Sequence, residues 1–203
     1  MADMELIKKL REVTGAGVLD CKNALAEAND DLKVAAEILM KKAKAIVAKK
    51  STRNAAEGRI GTYVHPGDKI AVMCEVNIET DFAAKNEDFL EFVRNVCMHI
   101  AALSPLYVSA DQIPEAAVAK QKEIFLAQLN EDPKMAGKPQ PVLDKIIEGK
   151  IKKWHSDVCL MDQAYVKDQE KTVREYLDAV VGKIRENIQV RRFARYAVGE
   201  ESF

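Results

Sequence analysis

The sequence has few residues of the kinds that mark membrane, secreted or fibrous proteins. Its 203 residues include 9 glycines, 6 prolines and 4 cysteines, and no apolar run approaches the roughly 20 residues that a membrane-spanning helix requires. The cysteines, at positions 21, 74, 97 and 159, stand singly, without the paired spacing of a zinc site, a redox motif or a disulfide framework. These absences predict a globular protein with reduced thiols, no metal site and no membrane association.

Neither sign of charge is in excess. Lysine and arginine number 31 and aspartate and glutamate 32, for a formal net charge of -1, whereas a dedicated nucleic-acid-binding protein usually carries a basic surplus. We therefore expect no nucleic acid as the main partner. Acidic Asp3 and Glu5 stand where a secretory signal would be basic, which predicts a cytoplasmic protein. No phosphate-binding loop of the GxxxxGK[ST] type occurs, so no nucleotide or other cofactor is expected.

The first 55 residues carry the pattern of a small helical module. Apolar residues recur at helical spacing in three stretches, separated by breaks at residues 14–17 and 29–31. The stretches contain Leu6, Ile7, Leu10 and Val13; Val18, Leu19, Cys21, Ala24, Leu25 and Ala28; and Leu32, Val34, Ala35, Ile38 and Leu39. Residues 41–50 are rich in lysine without interleaved aromatics, which predicts a solvated helical linker. We expect a three-helix docking domain over residues 1–55, because a unit of this size has no cleft in which to desolvate a reacting group.

From residue 60 the apolar period changes from that of a helix to that of a strand. The alternating residues are Ile60, Thr62 and Val64 before a turn at residues 65–68, and Ile70, Val72, Cys74, Val76 and Ile78 after it. This predicts a hairpin with one buried face. Helical spacing returns at residues 86–104 and in three later stretches, around a linker at residues 133–141, and residues 188–198 read as a returning strand. The predicted class is α+β, with an antiparallel sheet packed against helices in a core domain over residues 56–203.

Four segments resemble signatures of a known family. Residues 10–25 read LREVTGAGVLDCKNAL, residues 75–86 read EVNIETDFAAKN, and QAYVKD and ENIQVRRF follow at 163–168 and 186–193. Together they resemble the bacterial and organellar translation elongation factor Ts family over nearly the whole chain. The resemblance implies that the N-terminal module is similar to a ubiquitin-associated (UBA) domain. It also implies that the core is of the family's α+β type.

The chain departs from the family pattern at three positions. Ile78 stands where cysteine is usual, Ala83 where valine is usual, and Arg185 where glycine normally precedes the ENI segment. Because glycine permits close backbone approach, Arg185 is expected to alter a tight partner contact. The length resembles the family's short form, which lacks the second core copy of longer members. By that analogy we expect a homodimer.

The resemblance also implies a function and a set of partner-binding residues. Members of the family promote guanine-nucleotide exchange on elongation factor Tu, the GTPase that carries aminoacyl-tRNA, and such a factor needs no covalent chemistry, so no enzyme activity and no catalytic residues are expected. The family motif places an Asp-Phe pair at the point of intrusion into the GTPase. The matching partner-binding residues are Thr80, Asp81, Phe82, Lys22, Leu19, His99, Ile184 and Arg185.

The residues alone also allow ordinary structural roles for most of these positions. Phe82, Leu19 and Ile184 also fit core packing, Asp81 fits a helix cap, Lys22 fits a solvated lysine, and a histidine such as His99 on an amphipathic helix is more often structural. The segment with Arg191, Arg192, Phe193, Arg195 and Tyr196 would suit an RNA-binding strand, although it lacks an established RNA-binding signature. A hydrolase built from Cys97, His99 or His155 is weaker still, because no nucleophile motif surrounds any cysteine.

Overall fold

The computed structural model describes residues 4–132 and 138–200, so residues 133–137 of the predicted linker lie outside the described part of the chain. The helices and strands alternate along the sequence as an α+β protein, which confirms the predicted class. In chain order they are α1 (Met4–Thr14), α2 (Val18–Glu27), α3 (Leu32–Lys50), β1 (Glu57–Val64), β2 (Ile70–Ile78), α4 (Glu87–Leu103), α5 (Glu115–Glu131), α6 (Gln140–Val158), β3 (Ala164–Tyr165), β4 (Asp168–Thr172), α7 (Val173–Ile184) and β5 (Ile188–Ala197). No helix among the described residues is long and apolar enough to cross a membrane.

The described residues form two compact units by their contacts. One unit contains the residues up to 102 together with those from 174 onward, and the other contains residues 103–173. Helices α1 to α3 therefore belong to the same compact unit as the sheet, although they keep a hydrophobic core of their own. The division at residue 55 stays a prediction about modules, and it does not coincide with the boundary between these two units.

Three N-terminal helices pack around one small apolar core. Its buried residues are Ile7, Leu10, Cys21, Ala24, Leu25, Ala28, Ala35 and Leu39. The side chain of Asp31 caps α3 by accepting hydrogen bonds from the amides of Lys33 and Val34, at 2.9 and 3.0 Å, as expected for a helix start. Helix α3 runs unbroken to Lys50, so the predicted third helix and the lysine-rich linker are one helix. Val13 and Val18, which the helical pattern assigned to the apolar stripes, are exposed.

The main sheet has three antiparallel strands in the order β1-β2-β5. One face of the central strand buries Val72, Cys74, Val76 and Ile78, as the alternating pattern predicts. Helix α4 lies against this face and buries Phe89, Phe92, Val96 and Ile100 among others. The glycine at position 61 allows close approach of α4 to β1, because a Cβ there would lie only 2.4 Å from Cγ1 of Val93 and 2.8 Å from Sγ of Cys97.

The alternation in β1 predicts that Ile60 and Val64 lie on the buried face of the hairpin, and this prediction is wrong. Ile60 and Val64 are exposed, because the ladder pairs Ile60 with Glu75 and Val64 with Ala71, which places both on the face of the sheet opposite α4. The positions of β1 that face α4 are Gly61 and Tyr63. The apolar alternation of β1 therefore follows the outer face of the sheet, which no part of the described chain buries.

The second unit is built on the helices α5 and α6. Leu129, Ile147 and Ile151 form its buried cluster, with Phe125, Ile146 and Trp154 packed against them. A short hairpin, β3 and β4, follows α6. Its five-residue second strand, Asp168–Thr172, consists of polar and charged residues, so it carries no apolar alternation, and the sequence pattern did not predict it.

Candidate partner-binding site

Phe82 lies on a short turn directly after β2 and is 82% exposed. The turn closes with hydrogen bonds from the amide of Ala84 to the carbonyl of Thr80, at 3.1 Å, and from the amide of Asn86 to the carbonyl of Ala83, at 3.0 Å. Ala83 and Ala84 are buried beneath it. Phe82 is therefore not a core side chain of this chain, and the backbone presents its ring to the outside.

Asp81 stands beside this ring as an exposed carboxylate. Its Oδ2 atom lies 3.0 Å from Nζ of Lys85, one helical turn further on. The hydrogen bond from Lys85 holds the pKa of the Asp81 carboxyl below its ordinary value, so the group is ionised at neutral pH. The turn thus presents a negative charge and an aromatic ring at neighbouring positions.

Two carboxylates fasten the turn to the connection between α7 and β5. The β2–β5 ladder ends at the pair Ile78 and Ile188. Beyond it, Oε1 of Glu79 accepts the amide of Asn187 at 2.6 Å, and Oε2 of Glu186 accepts the amide of Thr80 at 3.1 Å. Burial raises the pKa of Glu79, but the bonds from Asn187 and Arg53 outweigh it, and the net shift is downward. Side-chain carboxylates therefore take the place of strand carbonyls at the end of the sheet.

Helix α2 reaches the same connection through one ion pair. Nη2 of Arg185 lies 2.9 Å from Oδ2 of Asp20. The neighbours of Asp20 on α2, Leu19 and Lys22, are exposed, and Ile184 is half-buried in the last turn of α7. Contacts therefore run continuously from the start of α2, through the end of α7, to the turn that carries Phe82.

His99 does not lie on this surface. It is fully buried in α4. It follows Phe92 by seven residues and so shares the stripe of the helix on which Phe92 packs against Tyr176 of α7. The prediction that His99 lies at the partner surface is wrong for this structure. Cys97 is likewise fully buried, and two residues along a helix from His99 it does not share its face, which leaves no nucleophile and base at an accessible site there.

Strand β5 does not present one basic and aromatic face. Phe193 pairs with Cys74 on the face toward α4, whereas Tyr196 pairs with Ala71 on the outer face. Arg191 and Arg192 both bind the carboxylate of Glu75, at 3.0 and 2.7 Å; the bond from Arg192, more than that from Arg191, holds the pKa of Glu75 below its ordinary value. The stacking platform that an RNA-binding strand would use is therefore not assembled here.

Comparison with known proteins decides the family. A family model described as "Elongation factor TS" matches residues 8–200. The chain belongs to the elongation factor Ts family. An elongation factor Ts of Geobacter sulfurreducens is 47% identical over 194 residues, which cover 96% of this chain and 88% of that protein. One of Caldanaerobacter subterraneus subsp. tengcongensis is 48% identical over 201 residues, 98% of each chain, and one of Acetivibrio thermocellus is 48% identical over 201 residues, 98% of this chain and 91% of that protein. Membership in the elongation factor Ts family makes this chain a translation elongation factor.

Sequence reasoning missed part of the surface near the elongation factor Ts signatures. Val13 and Val18 flank the glycine turn between α1 and α2 and are exposed together with Leu19. An exposed apolar group of this kind indicates a contact surface. The sequence signal that could have found these residues was the glycine turn itself. Apolar residues next to such a turn continue the helical spacing but need not face the core. Glu186 was missed because only its contact with Thr80 marks it.

The departure at Arg185 from the family's usual glycine has a backbone explanation. Arg185 follows the last residue of α7, and its amide bonds the carbonyl of Val181 at 2.7 Å, while its φ is 62°. A left-handed residue after a helix is the position that favours glycine. The usual glycine thus suits the helix end, and Arg185 adopts its conformation at a cost of about 1–2 kcal/mol.

Replacing Arg185 tests this strain against the ion pair with Asp20. Arg185→Ala and Arg185→Gly both remove the pair, whose side chains are 58% and 44% exposed, and such pairs contribute at most about 1 kcal/mol. Only Arg185→Gly also relieves the strain. We expect Arg185→Gly to be about 1 kcal/mol more stable than Arg185→Ala, which raises the midpoint of thermal unfolding by roughly 2–4 °C. Equal midpoints for the two variants would contradict a strained helix end.

Proposed function

We propose that this chain is a guanine-nucleotide exchange factor that binds elongation factor Tu with GDP and speeds GDP release, so that GTP can bind. It acts in the cytoplasm by binding alone, without a covalent step, a cofactor or a metal of its own. The observation that carries the proposal is the exposed Phe82 on its fastened turn, in a chain of the elongation factor Ts family. The RNA-binding alternative has weaker support, because β5 divides its aromatic side chains between two faces.

The energetics indicate why a broad surface is needed. By reciprocity, a partner that prefers the nucleotide-free GTPase weakens nucleotide binding by the same factor, and a ten-thousand-fold acceleration of release requires about 5.5 kcal/mol. Burial of one phenylalanine supplies only roughly 1.5–3 kcal/mol. We assign the rest to docking by the exposed apolar residues Val13, Val18 and Leu19 and the cation of Lys22. Asp81 then places its charge next to the inserted ring.

Release of a fluorescent GDP analogue from elongation factor Tu in a stopped-flow instrument tests the function. The release rate is expected to rise with the concentration of this chain and to saturate when all of the GTPase is bound. A release rate that stays at its spontaneous value would refute the assignment. Binding to single-stranded RNA with a steep dependence on salt would instead favour the RNA-binding alternative.

We also propose that the chain forms a homodimer through the outer face of its sheet. Five large apolar side chains on this side of the sheet or at its end are each 55–76% exposed: Ile60, Val64, Met73, Tyr196 and Val198. The ladder pairs Thr62 with Met73 and Met73 with Ala194, so Met73 lies on the central strand among them. Glu75 and Arg192 share this face as an ion pair beside the apolar side chains. An exposed surface with large apolar groups is typical of a protein interface, and a second copy of the same face would cover it by twofold symmetry.

A further inference from the structure

The direction of the Phe82 ring depends on the backbone that carries it. Because the ring is 82% exposed, packing against its own chain does not orient it. What orients it is the turn at residues 80–86, and a binding surface gains affinity when such a turn is ordered before the partner arrives. The groups that hold this turn in place therefore act on partner binding without contacting the partner.

The hydroxyl of Thr80 is the first of these groups. It donates a hydrogen bond to Oε1 of Glu186 at 2.9 Å and accepts one from the amide of Ala83 at 3.2 Å. A hydroxyl has one proton to donate and two lone pairs, so the bond to the carboxylate leaves its acceptor side for Ala83. The amide of Ala83 is thereby tied, through Thr80, to the connection between α7 and β5.

Glu186 completes the arrangement with both of its carboxylate oxygens. Oε1 accepts the hydroxyl of Thr80, and Oε2 accepts the amide of the same residue at 3.1 Å. Both bonds go to an ionised carboxylate, and such bonds are roughly twice as strong as those between neutral groups. A glutamine would keep at most neutral bonds, and its amide nitrogen would force the Thr80 hydroxyl to accept instead of donate. The strained conformation of Arg185 turns the chain after α7 and directs the next residue toward Thr80.

We propose that Glu186 is a positioning residue for partner binding, which holds the turn through Thr80 so that Phe82 is presented in one direction. The proposal rests on the exchange function proposed above. It assigns Glu186 no contact with elongation factor Tu, and its whole effect passes through Phe82. Glu186 therefore matters only while the ring is present, and this distinguishes it from a residue that stabilises the fold in general.

A double-mutant cycle tests this dependence. The second-order rate constant for chain-stimulated GDP release from elongation factor Tu is measured for the wild type, Glu186→Gln, Phe82→Ala and the double variant. We expect Glu186→Gln to lower it about tenfold, because hydrogen bonds to a charged group contribute more than those to a neutral one. The double variant is expected to match Phe82→Ala within about twofold. If the two losses multiply instead, Glu186 does not act through Phe82 and the proposal falls.

Two further variants separate positioning from general effects. Thr80→Ser keeps the hydroxyl and is expected to retain nearly the wild-type rate, whereas Thr80→Val is expected to match Glu186→Gln. Glu200→Gln is the matched control, because it removes a glutamate charge and an ion pair, with Arg195, at the opposite end of the sheet. It is expected to leave the rate unchanged. A loss with Glu200→Gln as large as with Glu186→Gln would reduce the effect to a change in net charge and overturn the proposal.

Amide hydrogen exchange of the free chain separates this proposal from the exchange function. In Glu186→Gln the amides of Thr80 and Ala83 are expected to exchange at least about tenfold faster, while that of Val76 within β2 is unchanged. If the wild type fails to speed GDP release, the proposed function falls, and amide exchange still decides whether Glu186 orders the turn. Unchanged protection of Thr80 and Ala83 in Glu186→Gln would overturn its role in either case.

Discussion

Phe82→Ala is expected to reduce stimulated GDP release from elongation factor Tu by roughly 10- to 150-fold, the equivalent of about 1.5–3 kcal/mol for one buried phenylalanine. The loss should appear in the second-order rate constant of release measured by stopped flow. Because the ring is 82% exposed in this chain, its removal leaves no cavity. The midpoint of thermal unfolding is therefore expected to stay within about 1 °C of the wild type.

An exposed apolar residue elsewhere provides the control for Phe82. Leu106 is 65% exposed and belongs to the second unit of the chain, outside the proposed surface. Leu106→Ala removes a comparable exposed side chain. It is expected to stimulate GDP release from elongation factor Tu as strongly as the wild type. If Phe82→Ala stimulates GDP release as strongly as the wild type, the exchange function stands, but the assignment of Phe82 to the binding site is refuted.

Most of the fold follows from local sequence patterns, because most of the helices and the longer strands have a clear apolar period. The glycine turn after α1, the cap at Asp31 and the alternation from Ile70 to Ile78 are local features, and the structure confirms the helices and the strand that they predict. The hairpin of β3 and β4 was missed because β3 has only two residues and β4 is polar. Its pairing depends on contacts with residues around it and not on a periodic pattern.

The candidate site was predictable only in part. The family motif located Phe82 and Asp81. The exposure of the Phe82 ring in the structure excludes the alternative that Phe82 is a core side chain. The motif did not distinguish an accessible residue from a buried one, so it could not decide between the two readings of His99. The burial of His99 depends on how α4 packs within the fold. Glu186 has no motif of its own. Its contact with Thr80 joins residues 106 positions apart, and only the sheet register brings them together.

The error in the phase of β1 bears directly on the proposed dimer. Alternation alone shows that Ile60 and Val64 share a face, but not which face of the sheet it is. The structure places them opposite α4, together with Met73 of β2, and leaves all three exposed. An apolar stripe that a chain does not bury itself needs another covering, and the face of a second copy supplies one of matching composition.

Met73→Lys is expected to convert the dimer into a monomer. An ammonium group at the centre of an apolar interface costs at least about 2 kcal/mol per copy, and the twofold axis doubles the cost, so the dimer dissociation constant rises about 10³-fold. Light scattering after size exclusion should then report a mass near the 22.6 kDa of one chain, against twice that value for the wild type.

Leu106→Lys places the same charge on an exposed apolar position of the other compact unit and is expected to leave the dimer intact. The side chain of Met73 is 55% exposed in the single chain, so Met73→Lys should fold with an unchanged circular dichroism spectrum, and a loss of dimer cannot then be a loss of fold. If the wild type is itself monomeric at micromolar concentration, the exposed face is not a homodimer interface. If Met73→Lys remains dimeric, two copies meet through a different surface, and the outer alternation of β1 has another cause.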